Sequence, residues 1–215
     1  MKKLGLTKFT FYVLGILILA FGITLTIQSK LGTSPFDALL VGLSETMGLT
    51  VGSWEIIIAF ILIFCNSFLK KQKPEFLGLL TSFITGISID MWLFLLHNLI
   101  TPETWFSKLI CFGIGIILIG LGTAIYLYTN FAPIPVDHLT LIIQELTKMS
   151  ILFSRTVIYL FFLLSAIIFN GPIGMGTVIT LCLGGVILNY FMKMIERLTN
   201  TPNLSGICTL SKNLE

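Results

Sequence analysis

Charged residues are scarce in this chain: they make up 11% of its 215 residues, whereas hydrophobic residues make up 55%. A soluble domain contains about 25% charged residues. The composition therefore excludes a protein whose main solvent is water. We expect the lipid bilayer to surround most of the chain, and we expect no nucleic-acid partner.

Motifs of enzymes and metalloproteins are also missing. None of the four cysteines belongs to a C-x-x-C pair, and the two histidines lack the spacing of a metal site. The sequence contains no nucleophile–base set, no Walker motif and no zinc motif. We therefore expect no catalytic residue, no metal and no cofactor, and a protein that is not an enzyme.

Long apolar stretches are the feature that the chain has in abundance. An α-helix needs about 17–25 apolar residues to cross about 30 Å of hydrocarbon. In lipid the backbone must form its hydrogen bonds internally, which selects helices, and these stretches lack the alternation of barrel strands. The first stretch is too long for a signal peptide and lacks a cleavage site, so we expect it to be retained. We predict an all-α membrane protein of about six transmembrane helices, at residues 9–27, 54–69, 76–96, 109–128, 155–169 and 175–192, of which the fifth is short.

The sequence contains an internal repeat. A shift of 100 residues aligns residues 15–58 with residues 115–158 without a gap, and eight of the 44 pairs are identical. We predict a duplicated three-helix unit, with residues 1–100 as the first membrane repeat, 101–198 as the second and 199–215 as a short cytoplasmic tail. The informative identities involve scarce residue types: Gly15 and Gly115, Gly22 and Gly122, Pro35 and Pro135, Asp37 and Asp137, Glu45 and Glu145.

Each unit contains a short segment with Pro and Asp, at residues 34–47 and 134–149. Segments of about 14–16 residues are marginal for spanning a bilayer, so we expect re-entrant or interfacial helices. With six crossings and both termini in the cytoplasm, eleven Lys and Arg residues lie on the cytoplasmic side and only Lys30 and Lys108 lie outside. Three crossings per unit would make the two repeats inverted relative to each other.

The first candidate site lies at the starts of the two short segments. Ser34 suits a helix N-cap, Pro35 suits the first helical position, and Asp37 would face the positive end of the helix dipole. Pro135 and Asp137 repeat this pattern without the serine. One interpretation is two ordinary helix starts. The other is a pair of broken-helix N-termini that meet near the bilayer centre and bind a small solute or ion.

Asp90 is a further candidate because it ends a stripe of small residues, Gly78, Ser82 and Gly86, at steps of four. Such a stripe occupies one helix face and allows a neighbouring helix to approach closely. Structural pairing with a polar group and a role in a proton relay both remain open. Leu188 is the corresponding residue of the second unit, so this charge is not duplicated.

Two other charged residues occupy equivalent positions in the repeat, Glu55 and Arg155. They lie near the starts of the second and fifth predicted transmembrane helices. We expect both at the membrane interface, on opposite faces of the bilayer.

The segment L-G-T-S-P-F-D-A at residues 31–38, followed by G-x3-G-x-W at 48–54, resembles the opening of the bacterial YczE/YyaS/YitT-type integral membrane proteins. G-M-G-T at residues 174–177 is similar to the recurrent glycine–threonine stretch of that family. The resemblance covers nearly the whole chain, is closest to the YczE branch, and implies a bacterial cytoplasmic membrane location. We expect no counterpart of the soluble C-terminal domain of YitT-like members, because only about twenty residues follow the sixth predicted helix.

Two functions fit these observations. The first is a small permease or secondary transporter of unknown substrate, with Asp37 and Asp137 at a central site and Asp90 carrying a coupling proton; a homo-oligomer would enlarge its small vestibule. The second is a membrane-embedded regulator or scaffold for a cytoplasmic enzyme, which would contact that protein partner through the loop at 70–73 and the tail. A channel would need a continuous line of polar residues, and the sequence has few.

Overall fold

The computed structural model describes residues 2–129, 131–148 and 151–199 of the chain. This part is all-helical, which confirms the predicted fold class. Most of the predicted tail, together with Cys208, lies outside the described residues. The described helices are α1 (Lys2–Gln28), α2 (Pro35–Met47), α3 (Val51–Lys70), α4 (Leu77–Leu96), α5 (Trp105–Tyr128), α6 (Pro135–Thr147), α7 (Ile151–Ile168) and α8 (Met175–Thr199).

Five of the described helices are long and apolar enough to cross a membrane. The apolar part of α7, Phe153–Ile168, is shorter, in agreement with the short fifth stretch of the sequence. Large apolar side chains cover the outer surface, and Phe68 and Phe94 are each 84% exposed. Soluble proteins rarely expose an apolar surface of this extent, whereas a surface in contact with lipid is expected to be apolar. The five spans are Lys8–Gln28, Val51–Lys70, Leu77–Leu96, Trp105–Tyr128 and Met175–Leu198.

The helices recur in the order that the sequence repeat predicts. In each half, a long helix is followed by a short helix of 13 residues that begins at Pro35 or Pro135. The next helix begins at Val51 or Ile151, again 100 residues apart. The order and the starts of these helices therefore follow the 100-residue shift seen in the sequence.

The repeat-equivalent helices α1 and α5 form the largest contact of the described structure. A Cβ atom on Gly15 would lie 2.7 Å from the backbone nitrogen of Tyr126. A Cβ atom on Gly22 would lie 2.7 Å from the carbonyl oxygen of Gly115. The contact thus moves forward along α1 as it moves backward along α5, so the two helices are antiparallel. Only glycine allows two helix backbones to approach this closely.

The short helices pack across the boundary between the halves. Helix α2 contacts α7, and α6 contacts α3. The backbone N–H of Thr33, before α2, donates a hydrogen bond to the carbonyl oxygen of Pro172, before α8. In the reciprocal place, the hydroxyl of Thr81 in α4 donates to the carbonyl oxygen of Ala132, before α6. Each short helix is therefore fixed at its start by the last helix region of the other half.

Candidate functional site

A cavity of about 100 Å³ lies between the two halves, at the starts of α2 and α6. Apolar side chains make up much of its wall, and both halves contribute polar groups. This mixture of an apolar wall and a few polar groups is typical of a small-molecule site. The polar and charged residues on the wall are Ser34, Asp37, Glu55, Thr85, Thr123, Asp137, Arg155, Tyr159 and Thr180.

In the first half, Ser34 caps α2 as the sequence predicts. Its Oγ accepts a hydrogen bond from the backbone N–H of Asp37 at 3.2 Å and donates to Oδ2 of Asp37 at 2.6 Å. The Asp37 side chain is only 6% exposed. The serine hydroxyl and the helix N-terminus both stabilise a carboxylate at this place.

In the second half, a tyrosine takes the place of the missing serine. Ile134 stands at the cap position of α6 and provides no side-chain hydrogen bond. The hydroxyl of Tyr126, a buried residue of α5, instead donates to Oδ2 of Asp137 at 2.6 Å. Sequence reasoning missed Tyr126, because this hydrogen bond joins two different helices. Each of the two aspartates thus has its own hydrogen-bond donor at the edge of one cavity.

The two prolines have a different role from the aspartates. Pro35 and Pro135 each occupy the first turn of a short helix, where the missing N–H is not needed. Neither belongs to the described wall of the cavity. The carbonyl oxygen of Pro135 accepts a hydrogen bond from Nδ2 of Asn66 in α3 at 3.0 Å. The prolines therefore position the site without lining it.

Glu55 and Arg155, predicted to lie at the membrane interface, both line the cavity. Glu55 is 2% exposed. Nη2 of Arg155 donates to the hydroxyl of Tyr159 at 2.9 Å, and the guanidinium carbon lies 5.0 Å from the centre of the same ring. The structure thus places both side chains on the wall of an internal cavity and not on the outer surface at the helix starts. Both are charged residues at equivalent positions of the repeat, within otherwise apolar segments. This pattern could have identified them as residues of the site.

The charges of the cavity are unevenly distributed. Glu55 interacts electrostatically with the carboxyl groups of Asp37 and Asp137. Arg155 interacts with Tyr159 and, among the carboxyl groups, with Asp137. Among the described residues, Arg155 forms no ion pair at salt-bridge distance. Three carboxyl groups thus share a small volume with a single guanidinium. A site of this kind can bind protons or cationic groups at its acidic end and hydrogen-bond acceptors at Arg155.

Asp90 lies outside the described wall of this cavity. Its Oδ1 accepts a hydrogen bond from the backbone N–H of Gly52 at 2.8 Å, and its Oδ2 accepts one from the hydroxyl of Thr50 at 2.6 Å. These donors form the N-terminus of α3, so Asp90 caps that helix from α4. Next to this cap, which we call the Asp90 clamp, a Cβ atom on Gly52 would collide with the carbonyl oxygen of Gly86. The contacts of Asp90 are those of structural pairing along a packing seam.

The second half has no equivalent of this clamp. Leu188 stands at the position of Asp90 and lines the cavity. Helices α7 and α8 touch at few places in the described structure, whereas α3 and α4 pack closely. Accordingly, Tyr159 of α7 and Thr180 of α8 both reach the cavity wall. Side chains of both helix pairs line the cavity, and the pair in the second half is the more loosely packed of the two.

Apolar helices of membrane-spanning length around an internal polar cavity define a multi-pass membrane protein. The chain belongs to the family of unknown function DUF6198, whose family model matches residues 6–193. This membership confirms the resemblance to the YczE/YyaS group.

Relatives of known sequence cover almost the whole chain. The chain is 62% identical to the uncharacterized protein YyaS of Bacillus subtilis strain 168 over 199 residues. The aligned residues cover 93% of this chain and 99% of YyaS. The chain is 36% identical to the uncharacterized membrane protein YczE of the same bacterium over 201 residues. The aligned residues cover 93% of this chain and 92% of YczE. An uncharacterized protein of Haemophilus influenzae is 29% identical to the chain over 202 residues, which cover 94% of this chain and 88% of that protein. No solved structure matches the chain.

Of the two Bacillus proteins, YyaS is the more similar to this chain, whereas the sequence analysis favoured the YczE branch. YczE is named as a membrane protein, in agreement with the apolar helices of the present chain.

Proposed function

We propose that this chain is a small permease or secondary transporter that moves a small solute across the bilayer by alternating exposure of the central cavity. The observation that carries the proposal is that Asp37 and Asp137, at the N-termini of two short helices from different halves, line one cavity. Secondary transporters bind solutes and coupling ions at broken-helix ends of this kind.

The packing of the halves supports this proposal. An inverted repeat requires that equivalent helices run in opposite directions, and α1 and α5 are antiparallel along their glycine contacts. The exchange of α2 and α6 between the halves gives the reciprocal contacts expected around a pseudo-two-fold axis. A rocking motion of one half against the other would then open the cavity first to one side of the membrane and then to the other.

The unequal packing of the two halves is a second support. Alternating access moves one half against the other, so the two halves can differ in their internal packing in any one state. The clamp of Asp90 on the N-terminus of α3 holds α3 and α4 together, whereas α7 and α8 have few contacts. The excess of Lys and Arg on the predicted inner loops favours the bacterial cytoplasmic membrane with both termini in the cytoplasm.

The test is a thermal-unfolding screen of the detergent-purified protein against small metabolites and ions, with Asp37→Asn and Asp137→Asn alongside. A solute present at 100 times its Kd stabilises the native state by about 2.7 kcal/mol. We expect one class of solute to raise the Tm of the unsubstituted protein and to have no such effect on either variant. The same solute should accumulate in liposomes that contain the unsubstituted protein.

The chain offers a matched control for this experiment. Glu45 and Glu145 are also repeat-equivalent acids of α2 and α6, but both are exposed. Glu45→Gln and Glu145→Gln should keep the solute-induced rise in Tm and the uptake. Uptake that persists in the two Asp variants would contradict the proposal. Loss of function on substitution of Lys70, Lys71 and Lys73, with tolerance at both aspartates, would favour the regulator or scaffold of a cytoplasmic enzyme.

A further inference from the structure

Glu55 is a carboxyl group whose position requires an explanation. It is 2% exposed, lies in the first turns of α3 and lines the central cavity. Burying an ionised carboxylate without a charge partner costs several kcal/mol. A membrane protein that keeps an acid in such a place generally uses it.

The surroundings of Glu55 are acidic rather than basic. Asp37 and Asp137 both interact with it electrostatically. Arg155 lies on the same wall, but its electrostatic partner among the carboxyl groups is Asp137. The other titratable and charged groups on the cavity wall are Asp37 of α2, Asp137 of α6, and Arg155 and Tyr159 of α7, and Tyr126 of α5 donates to Asp137. The remaining such groups on α2, α4 and α6 lie outside the described wall: Glu45, Asp90, His138 and Glu145.

The hydrogen bonds distinguish Glu55 from the two aspartates. Asp37 accepts from the hydroxyl of Ser34 and Asp137 from the hydroxyl of Tyr126, each at 2.6 Å. The group beside Glu55 is the hydroxyl of Ser82 in α4, a buried oxygen that has no geometrically complete hydrogen bond in the described structure. Complete hydrogen bonds stabilise the ionised form of both aspartates, whereas the interaction of Glu55 with the Ser82 hydroxyl does not reach hydrogen-bond geometry in the described structure.

Three carboxylates and one guanidinium in a small apolar-walled cavity cannot all be ionised at low cost, because like charges repel strongly where water is scarce. One proton removes most of this repulsion. It goes to the carboxyl group with the least stabilised anion, which is Glu55. Its O–H can then bond to the otherwise unpaired oxygen of Ser82.

We infer that Glu55 is the proton-binding residue of the central cavity. In the structure described, it is the neutral acid, and it releases its proton to cavity water when that water or a cationic group of a solute stabilises the carboxylate. Its place as the coupling residue rests on the proposed transport function. The inference moves that role from Asp90, which caps α3, to a residue inside the cavity.

Infrared spectroscopy of the purified protein in lipid nanodiscs tests proton binding directly, because a protonated carboxyl group has a carbonyl stretch separate from that of carboxylates. We expect this band near neutral pH in the unsubstituted protein and in Glu45→Gln, whose side chain is exposed. Glu55→Gln should lack it, and Glu55→Asp should show it at a shifted position. A band that persists in Glu55→Gln, or that is missing in the unsubstituted protein, would overturn the inference.

Thermal unfolding of the same samples shows whether the variants fold. Gln resembles neutral Glu in size and hydrogen bonding, so Glu55→Gln should unfold within a few degrees of the unsubstituted protein. A group that is neutral when folded and ionised when unfolded adds stability at low pH that is lost as the pH rises. The Tm of the unsubstituted protein should therefore fall relative to that of Glu55→Gln as the pH rises from about 4, where an unfolded glutamate ionises, to the pH at which Glu55 ionises in the folded protein. Parallel curves over this range would contradict the inference.

These measurements need no solute, so they separate the inference from the proposed function. If Glu55→Gln lacks the band but no solute is ever transported, the proton site stands and the transport proposal fails. If a solute is transported and the band persists in Glu55→Gln, only the proton site fails. With a transported solute in hand, Glu55→Gln should lose accumulation driven by a pH gradient and keep exchange at equal pH.

Discussion

At the scale of single residues, the candidate aspartates of this protein differ in what they contact. Asp37 and Asp137 serve the N-termini of their own helices and face the cavity, whereas Asp90 serves the N-terminus of a neighbouring helix. Local spacing predicted the first arrangement, because cap and acid are three residues apart. It could not predict the second, because Asp90 and Gly52 are 38 residues apart. The same acidic residue type therefore has two roles, and tertiary contacts decide which.

A substitution of Asp90 by leucine, the residue at the equivalent place in the second half, tests the structural role. Asp90→Leu leaves the backbone N–H of Gly52 and the hydroxyl of Thr50 without their acceptor, so we expect the free energy of unfolding to fall by about 1–3 kcal/mol. Denaturant or thermal unfolding in detergent measures the loss. The stabilisation by a bound solute should persist, since Asp90 is outside the described cavity wall.

Glu103→Gln is a suitable control for this substitution, because Glu103 is an exposed acid in a loop. It should change neither stability nor solute binding. If Asp90→Leu kept its stability but lost proton-coupled uptake, the relay role would be correct instead of the structural one.

At the scale of helices, glycine contacts determine which elements touch. The stripe at Gly78, Ser82 and Gly86 is a packing seam, as the sequence indicated, and Gly86 meets Gly52 of α3. The sequence also showed a repeated glycine pair in α1 and α5, but it gave no indication that these two helices pack on each other. The two helices pack because they are antiparallel, so that Gly15 lies beside Gly122 and Gly22 lies beside Gly115.

Helix α5 contains a matched pair of glycines that tests this interface. A Cβ atom on Gly122 would lie 2.4 Å from the backbone nitrogen of Leu19, whereas one on Gly113 would meet nothing within 4 Å. Gly122→Ala should lower the free energy of unfolding by about 1–3 kcal/mol, the usual cost of overpacking. Gly113→Ala should be neutral or raise it by up to about 1 kcal/mol, because alanine favours helix.

Thermal unfolding of the two variants in the same detergent makes the comparison. Equal effects of the two substitutions would mean that α1 and α5 do not approach each other at Gly122.

At the scale of the whole molecule, the two halves are similar in order but unequal in packing. The first half is closed by the clamp of Asp90 on α3, and the second half, with Leu188, has a looser pair of helices. The cavity lies between them, and its wall combines carboxyl groups of both halves with Arg155. The alternating access that we propose would use this difference between the halves.

Membrane topology is the prediction that belongs to this scale. Arg155 lines the cavity, so the eleven predicted cytoplasmic cations become ten, against two outside. In a variant without native cysteines, Lys30→Cys should react with a membrane-impermeant maleimide on intact cells. Lys71→Cys and Lys148→Cys should react only after the membrane is opened. Reaction of Lys71→Cys on intact cells would contradict the inverted arrangement.

The sequence by itself determined the all-helical membrane class and the starts of α2 and α6, and its 100-residue shift predicted the order of the helices. These depend on local properties: runs of apolar residues, a fixed shift of 100 residues, and a cap with its acid three residues away. The short length of α7 was also visible, because span length follows from residue count.

Only the tertiary structure decided which polar residues share a site. Glu55 and Arg155 lie near helix ends in the sequence, where water is the simplest expectation, but the structure places both on the wall of the internal cavity. Tyr126 reaches Asp137, and Asp90 reaches Gly52, through contacts between helices. Burial and hydrogen bonding between distant segments depend on how the halves pack, and no local pattern of residues contains that information.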